Sequence, residues 1–226
     1  MVTEARNAWQ WSQGWCATGF GQQARAVEWR WIHATLRSLS RNRMLELCAA
    51  SVPPLGLADA VTIHNDGQCW RGPVLARLGA IPVSGGAADV VICRYLNLRW
   101  SRCRWLLPEL ARVLAPGGCL LVTALNPWRP QALRVLGPGA VCAQSLLGLD
   151  AAARGSGLAL LRRERCGNGP GFHRVLQTRV FCKRVLKGIP GSAAGVPRRA
   201  PMPAGALPAC RVAPSWIVCG RVGSVG

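Results

Sequence analysis

The side chains that could do chemistry in this sequence are few and scattered. Three histidines, His33, His64 and His173, lie far apart with no patterned carboxylate or cysteine beside them. The eleven cysteines are an odd number and no two stand at Cys-x-x-Cys spacing, so neither a disulfide framework nor a zinc site is expected. Cys48, Cys93 and Cys119 sit in or beside apolar runs, where a reduced cysteine behaves as a small buried hydrophobe, and a cytosolic setting is the simplest one for them. No histidine, cysteine or serine stands in a nucleophile-and-base pattern. What remains are polar residues in or just after apolar runs: Glu46 inside Met-Leu-Glu-Leu-Cys, Asp66 before Gly67, and Asn126 before Pro127. Ligands of open α/β sheets bind beyond the carboxyl ends of the strands, which makes Asn126 and Pro127 candidates for a binding loop. Each position also has a plain structural alternative. Glu46 can pair with a nearby arginine, and Asp-Gly and Asn-Pro are ordinary turn signals.

The elements that must position these residues follow from periodicity. From Gln22 to Leu39, apolar residues at Ala26, Trp29, Ile32, His33, Leu36 and Leu39 recur at the spacing of an amphipathic helix. Arg43 to Cys48 reads as a first strand, stopped near Pro53 and Pro54, Ala60 to His64 as a second, and Ala76 to Val83 as a weak third. The run Asp89-Val-Val-Ile-Cys-Arg-Tyr, introduced by Ser84-Gly85-Gly86, is continuously apolar, as expected of a parallel strand covered on both faces. Ser101 to Leu114 reads as a helix with Leu106, Leu107, Leu110, Val113 and Leu114 on one face, ended by Pro116-Gly117-Gly118. Cys119 to Leu125 follows as a strand, so strand, helix and strand form a right-handed parallel crossover. Gln144 to Ala153 is expected to be helical, and Leu158 to Arg165 with His173 to Arg184 to form a closing antiparallel pair.

The segments Ala88-Asp-Val-Val-Ile and Leu107-Pro-Glu-Leu-Ala-Arg-Val-Leu-Ala-Pro-Gly-Gly-Cys-Leu-Leu-Val match the pattern of class I S-adenosylmethionine-dependent methyltransferases. The Arg-Val-Leu-x-Pro-Gly-Gly string has a structural reason, since the helix must end sharply and the paired glycines permit the angles needed to turn into the next strand. Ala124-Leu-Asn-Pro-Trp-Arg-Pro-Gln-Ala-Leu-Arg, the late Val180-Phe-Cys-Lys-Arg-Val and the tryptophan-rich helix around Trp29 and Trp31 resemble a small bacterial methyltransferase-like family of the type 11 group. The resemblance runs from Trp9 to Lys187 and is strongest from Asp89 to Arg134. It implies a Rossmann-like α/β fold with a mostly parallel sheet, and S-adenosyl-L-methionine as cofactor. It also implies an acid in the first strand followed by a Gly-x-Gly-x-Gly turn. Glu46 takes the acidic position, but Cys48, Ala50 and Val52 stand where the glycines would fall. Asp66, about 20 residues after Glu46, matches the acid that binds the ribose hydroxyls. The acidic or polar residue expected near the adenine is missing before Ile81-Pro82. Asp89 is expected to begin its strand and to cap the preceding turn. Glu46, Cys48, Asp66 and Asn126 are thus the candidate cofactor contacts; the catalytic residues are unknown, and no metal is expected.

Composition bounds the remaining readings. No uninterrupted apolar run is long enough for a membrane helix, and Met1 to Gln13 lacks the pattern of a secretory signal. Residues 1–187 are expected to form one methyltransferase-like domain, and 188–226, rich in Gly, Pro, Ala and Ser, a disordered extension. A formal charge of +19, from 28 basic against 9 acidic residues, invites a nucleic-acid reading. The excess is almost wholly arginine, Lys183 and Lys187 being the only lysines, which also fits coding drift in a GC-rich genome. Three functions follow: a methyltransferase of unknown acceptor with an impaired cofactor turn, an inactive module of the same fold, or a basic nucleic-acid binder. A nicotinamide dehydrogenase would need a Gly-x-Gly-x-x-Gly turn that the chain lacks.

Overall fold

The structure, a computed structural model, describes residues 15–39, 43–49, 52–66, 69–77, 79–95, 100–126, 129–131, 146–167 and 176–184. The extension expected at 188–226, His173 and the Pro127-Trp128 part of the Asn-Pro loop lie outside these residues. In chain order the elements are α1 (Gly19–Leu36), β1 (Met44–Ala49), β2 (Ala60–Asn65), β3 (Cys69–Arg71), β4 (Ala76–Arg77), β5 (Ala88–Arg94), α2 (Trp100–Val113), β6 (Leu114–Leu125), α3 (Leu146–Gly155), β7 (Leu158–Cys166) and β8 (Leu176–Lys183). The strands form one sheet in the order β4-β3-β2-β1-β5-β6-β8-β7. β2, β1, β5 and β6 run parallel, and β8 and β7 close the sheet antiparallel. This is the Rossmann-like arrangement expected.

Alternation within β5 shows how the layers are built. Val91 and Cys93 join a core with Leu106, Leu107 and Leu110 of α2 and Ala153 of α3, while Val90 and Ile92 pack against Trp31 and Ile32 of α1. Both faces are covered, so the strand reads as continuously apolar. The same alternation turns Glu46, Arg94 and Thr123 toward α1, and register sets Arg94 beside Cys48 on one strand and Thr123 on the other.

The Pro-Gly-Gly segment ends α2 as expected, but its residues belong to β6 as a bulge. The pairing with β5 jumps from Ala88↔Leu114 to Val90↔Cys119. Gly117 sits at φ +73°, and a Cβ on Gly118 would lie 2.8 Å from the Ala115 carbonyl oxygen and 2.9 Å from that of Asp89. Both glycines are therefore required by geometry. Asp89 accepts from Arg43, whose Nη2 lies 2.9 Å from Oδ1, and so ties the start of β1 to β5.

Two expectations are corrected. The third strand expected over Ala76 to Val83 shrinks to Ala76–Arg77, which as β4 pairs antiparallel with β3, and β3 pairs antiparallel with β2. The buried face of α1 is Gly21, Ala24, Glu28, Trp31, Ile32 and Thr35, while Ala26 and Trp29 face outward, so the periodicity through Ala26 and Trp29 was set on the wrong stripe. Residues 52–59, between the parallel strands β1 and β2, contain no helix.

Candidate functional site

The carboxyl ends of β1, β5 and β6 meet the inner face of α1, and there the chain buries an ion triad. Arg94 Nη1 donates to Glu46 Oε1 at 2.5 Å and to the Pro53 carbonyl at 2.9 Å, and Nη2 donates to Glu28 Oε2 at 2.7 Å. Glu28 also accepts from the Thr123 hydroxyl. Glu46 takes 3.0 Å from Thr62 Oγ1 and, through both oxygens, 3.2 Å from the Leu55 amide. The side chains are 0% exposed for both carboxylates and 2% for Arg94. Burial alone would lower the pKa of Arg94, but the charges and hydrogen bonds of Glu28 and Glu46 outweigh it and hold the guanidinium above its ordinary value. Two carboxylates around one cation are stable here because each of their four oxygens accepts from at least one donor.

Apolar residues close over the triad. Trp15, Cys16 and Ala24 pack with Cys48, Val52, Tyr95, Leu125 and Leu176. Tyr95 holds a left-handed φ of +47°, costly for a residue with a Cβ, and the edge of the Trp15 ring lies on it with centroids 5.0 Å apart. Burial pushes its phenol well above the usual range. Arg94 Nε, Arg25 Nε and, farther along α1, His33 Nε2 are buried with no hydrogen-bond partner among the described residues.

The four expected contact residues are not brought to one open place. Glu46 is inside the triad, the arginine pairing that was its structural alternative. Cys48 is fully buried, donates to the Val52 carbonyl at 3.8 Å and lies 3.2 Å from His64 Nδ1. Its thiol is pushed up to about 12, first by burial and then by the Glu46 charge, so it is no nucleophile. Asp66 stands at the end of β2, where it accepts 2.8 Å from the Cys69 amide and pairs with Arg71, forming the turn into β3. Asn126 is buried at the end of β6 and accepts from Gln177 Nε2 at 2.7 Å, joining β6 to β8. Glu28, Arg94 and Thr123 were missed. The Ala24, Glu28, Ile32 spacing of four places Glu28 on the buried stripe, and Arg94 ends the clearest strand, so both carried a readable signal.

The fold matches solved structures. The N-methyltransferase NodS from Bradyrhizobium japonicum WM9, in complex with S-adenosyl-L-homocysteine, is 13% identical with a TM-score of 0.51, covering 78% of this chain and 98% of that one. A proposed O-methyltransferase from Nostoc punctiforme PCC 73102 is 12% identical with a TM-score of 0.51, covering 76% and 60%. The 4+2 cyclase SpnF is 14% identical with a TM-score of 0.50, covering 70% and 81%. No family model matches the sequence, and no curated protein matches it. The chain therefore has the fold of class I S-adenosyl-L-methionine-dependent methyltransferases. The cyclase shows that this fold also carries other chemistry.

The NodS complex makes S-adenosyl-L-methionine the cofactor to weigh against the residues present. A glycine-rich turn lets backbone approach a ligand, but here Cys48 and Val52 fill that space with buried side chains, and the Val52 amide closes a turn on the Ala49 carbonyl at 2.9 Å. No helix begins in residues 52–59, so no helix N-terminus is aimed at a ligand from them. The described residues do not fit the cofactor in the manner of a glycine-rich turn.

Proposed function

We propose that this chain is a methyltransferase-fold binding module, in which the sheet end that would otherwise face a methyl donor has become part of the core. The observation that carries this reading is Glu46, fully buried and bonded to Arg94, Thr62 and Leu55, with no face left for a ligand. The test is titration calorimetry and thermal shift with S-adenosyl-L-methionine and S-adenosyl-L-homocysteine at millimolar concentration. A ligand at about 100 times its Kd stabilises by about 2.7 kcal/mol, a shift of several degrees, so the expected flat response is easily told from binding. Micromolar affinity would overturn the reading.

A second reading, a methyltransferase of unknown acceptor, is favoured by Arg25 Nε and Arg94 Nε, buried without a hydrogen-bond partner among the described residues, which a bound polar group could satisfy. In that case Asp66 and Asn126 would turn from their present partners to the cofactor, with Glu46 and Cys48 supporting it from beneath, and catalysis would be proximity and orientation. Methyl transfer to any acceptor, together with micromolar cofactor binding, would establish it. Cys16, Cys48, Cys69, Cys166 and Cys182 form no disulfide among the described residues, which supports a reducing, cytosolic setting for either reading.

A further inference from the structure

The acids of this protein are almost all spent within the fold. Glu28, Glu46, Asp66, Asp89, Glu109, Asp150 and Glu164, seven of the nine in the sequence, form ion pairs with arginines. The positive excess therefore falls on arginines elsewhere, and it is not spread evenly. On α1 the single acid, Glu28, is buried, so the outward face presents Arg30 and, at the helix end, Arg37 with no carboxylate among them. Trp29 stands on that face, 48% exposed, with the His33 ring packed 4.0 Å from it at an angle of 34°. A large indole left in water beside unpaired cations is not explained by the core.

Beside this face runs an open groove of about 550 Å³ between α1 and the edge strand β7, lined by Val27, Arg30, Trp31, Glu164, Arg165 and Cys166. Its one acid is already committed: Glu164 accepts from Trp31 Nε1 at 2.5 Å and from Arg162 Nε at 2.6 Å. Arg30, whose Nε donates to the Ala26 carbonyl at 3.3 Å, and Arg165 form no ion pair among the described residues and flank the groove. Coding drift toward arginine accounts for the number of cations but not for an acid-free face that holds an exposed tryptophan.

We propose that the outward face of α1 and the groove against β7 bind single-stranded RNA, with Arg30 and Arg165 on phosphates and a base stacked on Trp29. Unpaired cations track a backbone and an aromatic face accepts any base, the combination that holds single strands without reading sequence. The inference deepens the binding-module reading by naming its partner, and it rests on that reading only in needing no methyl donor.

The test is fluorescence anisotropy of the full chain with a labelled oligouridylate of about twelve nucleotides, across roughly 50 to 200 mM salt. Affinity is expected to fall linearly on logarithmic axes. The pair Arg30→Ala and Arg165→Ala should flatten the slope by about 1.4, at about 0.7 per phosphate contact on a single strand. Trp29→Ala should weaken binding about tenfold at fixed salt while leaving the slope, and Trp29→Tyr should restore most of the loss. Arg154→Ala, exposed on the α3 side, should change neither. Equal melting temperatures confirm that the variants fold. Absent or salt-independent binding, heparin binding as tightly as RNA with no effect of Trp29→Ala, or equal binding of duplex RNA would each overturn the proposal. Cofactor titration is a separate readout, so failure of the module reading and failure of this surface are distinguishable.

Discussion

Replacing Arg94 by methionine removes the one cation that two buried carboxylates share. Glu28 and Glu46 are 0% exposed and Arg94 2%, so water cannot take over the lost bonds. Truncating one partner of a buried ion pair costs about 3–5 kcal/mol, because the charge left behind is uncompensated. For a domain whose total stability is about 5–15 kcal/mol that is a large fraction, corresponding to a fall in Tm of about 6–20 °C. The triple variant Glu28→Gln, Glu46→Gln and Arg94→Met carries no buried charge and should recover most of the deficit. Urea denaturation at pH 7 measures both variants. A cost below about 1 kcal/mol for Arg94→Met, or no recovery in the triple variant, would falsify the claim that the triad organises this end of the sheet.

Three further outcomes follow from local geometry. Gly117→Ala should cost about 1–2 kcal/mol for its left-handed backbone, and Gly118→Ala at least as much, since its Cβ meets two carbonyl oxygens; equal stability of wild type and Gly118→Ala in urea would refute the bulge. The hydrogen bond from Arg112, opposed by burial and aided by the Ile81 amide, holds the Glu109 carboxyl below its ordinary 4.5, so its contribution is full above that value and lost as pH falls through the lowered one. Glu109→Gln should therefore cost about 1 kcal/mol or less at pH 7 and less at acidic pH, and chemical denaturation showing a larger cost in acid would refute the sign.

The sheet was legible wherever a strand is covered on both faces, because Val90 to Cys93 and Cys119 to Val122 read as continuous apolar runs whatever their partners. It was illegible at the β3–β4 edge, where strands of three and two residues carry no period. The α1 stripe was misjudged for a physical reason. Its buried face holds a glutamate and a threonine, while a tryptophan stands outside, so hydrophobicity points away from the core. The site was half readable. Cys48, Ala50 and Val52 announced a lost glycine turn, but the pairing of Glu28 with Arg94 could not be seen, because they are 66 residues apart and meet only through the fold.

The missing glycines, the absence of a helix in residues 52–59 and the triad are one physical change. Residues 52–59, passing toward β2 without a helix, leave backbone groups that need partners in a buried place. The Leu55 amide finds Glu46 and the Pro53 carbonyl finds Arg94. Arg94 then needs a second carboxylate, which α1 supplies as Glu28, and the docking of α1 lays Trp15 on Tyr95. Restoring glycines alone should therefore restore nothing. The double variant Cys48→Gly and Val52→Gly is expected to lose about 2–5 kcal/mol from emptied core volume and added backbone freedom, and to gain no affinity for S-adenosyl-L-methionine by calorimetry, because the triad and α1 still occupy the space above the strands. Micromolar binding by this variant would show that two side chains were the whole barrier and that the triad is incidental to it.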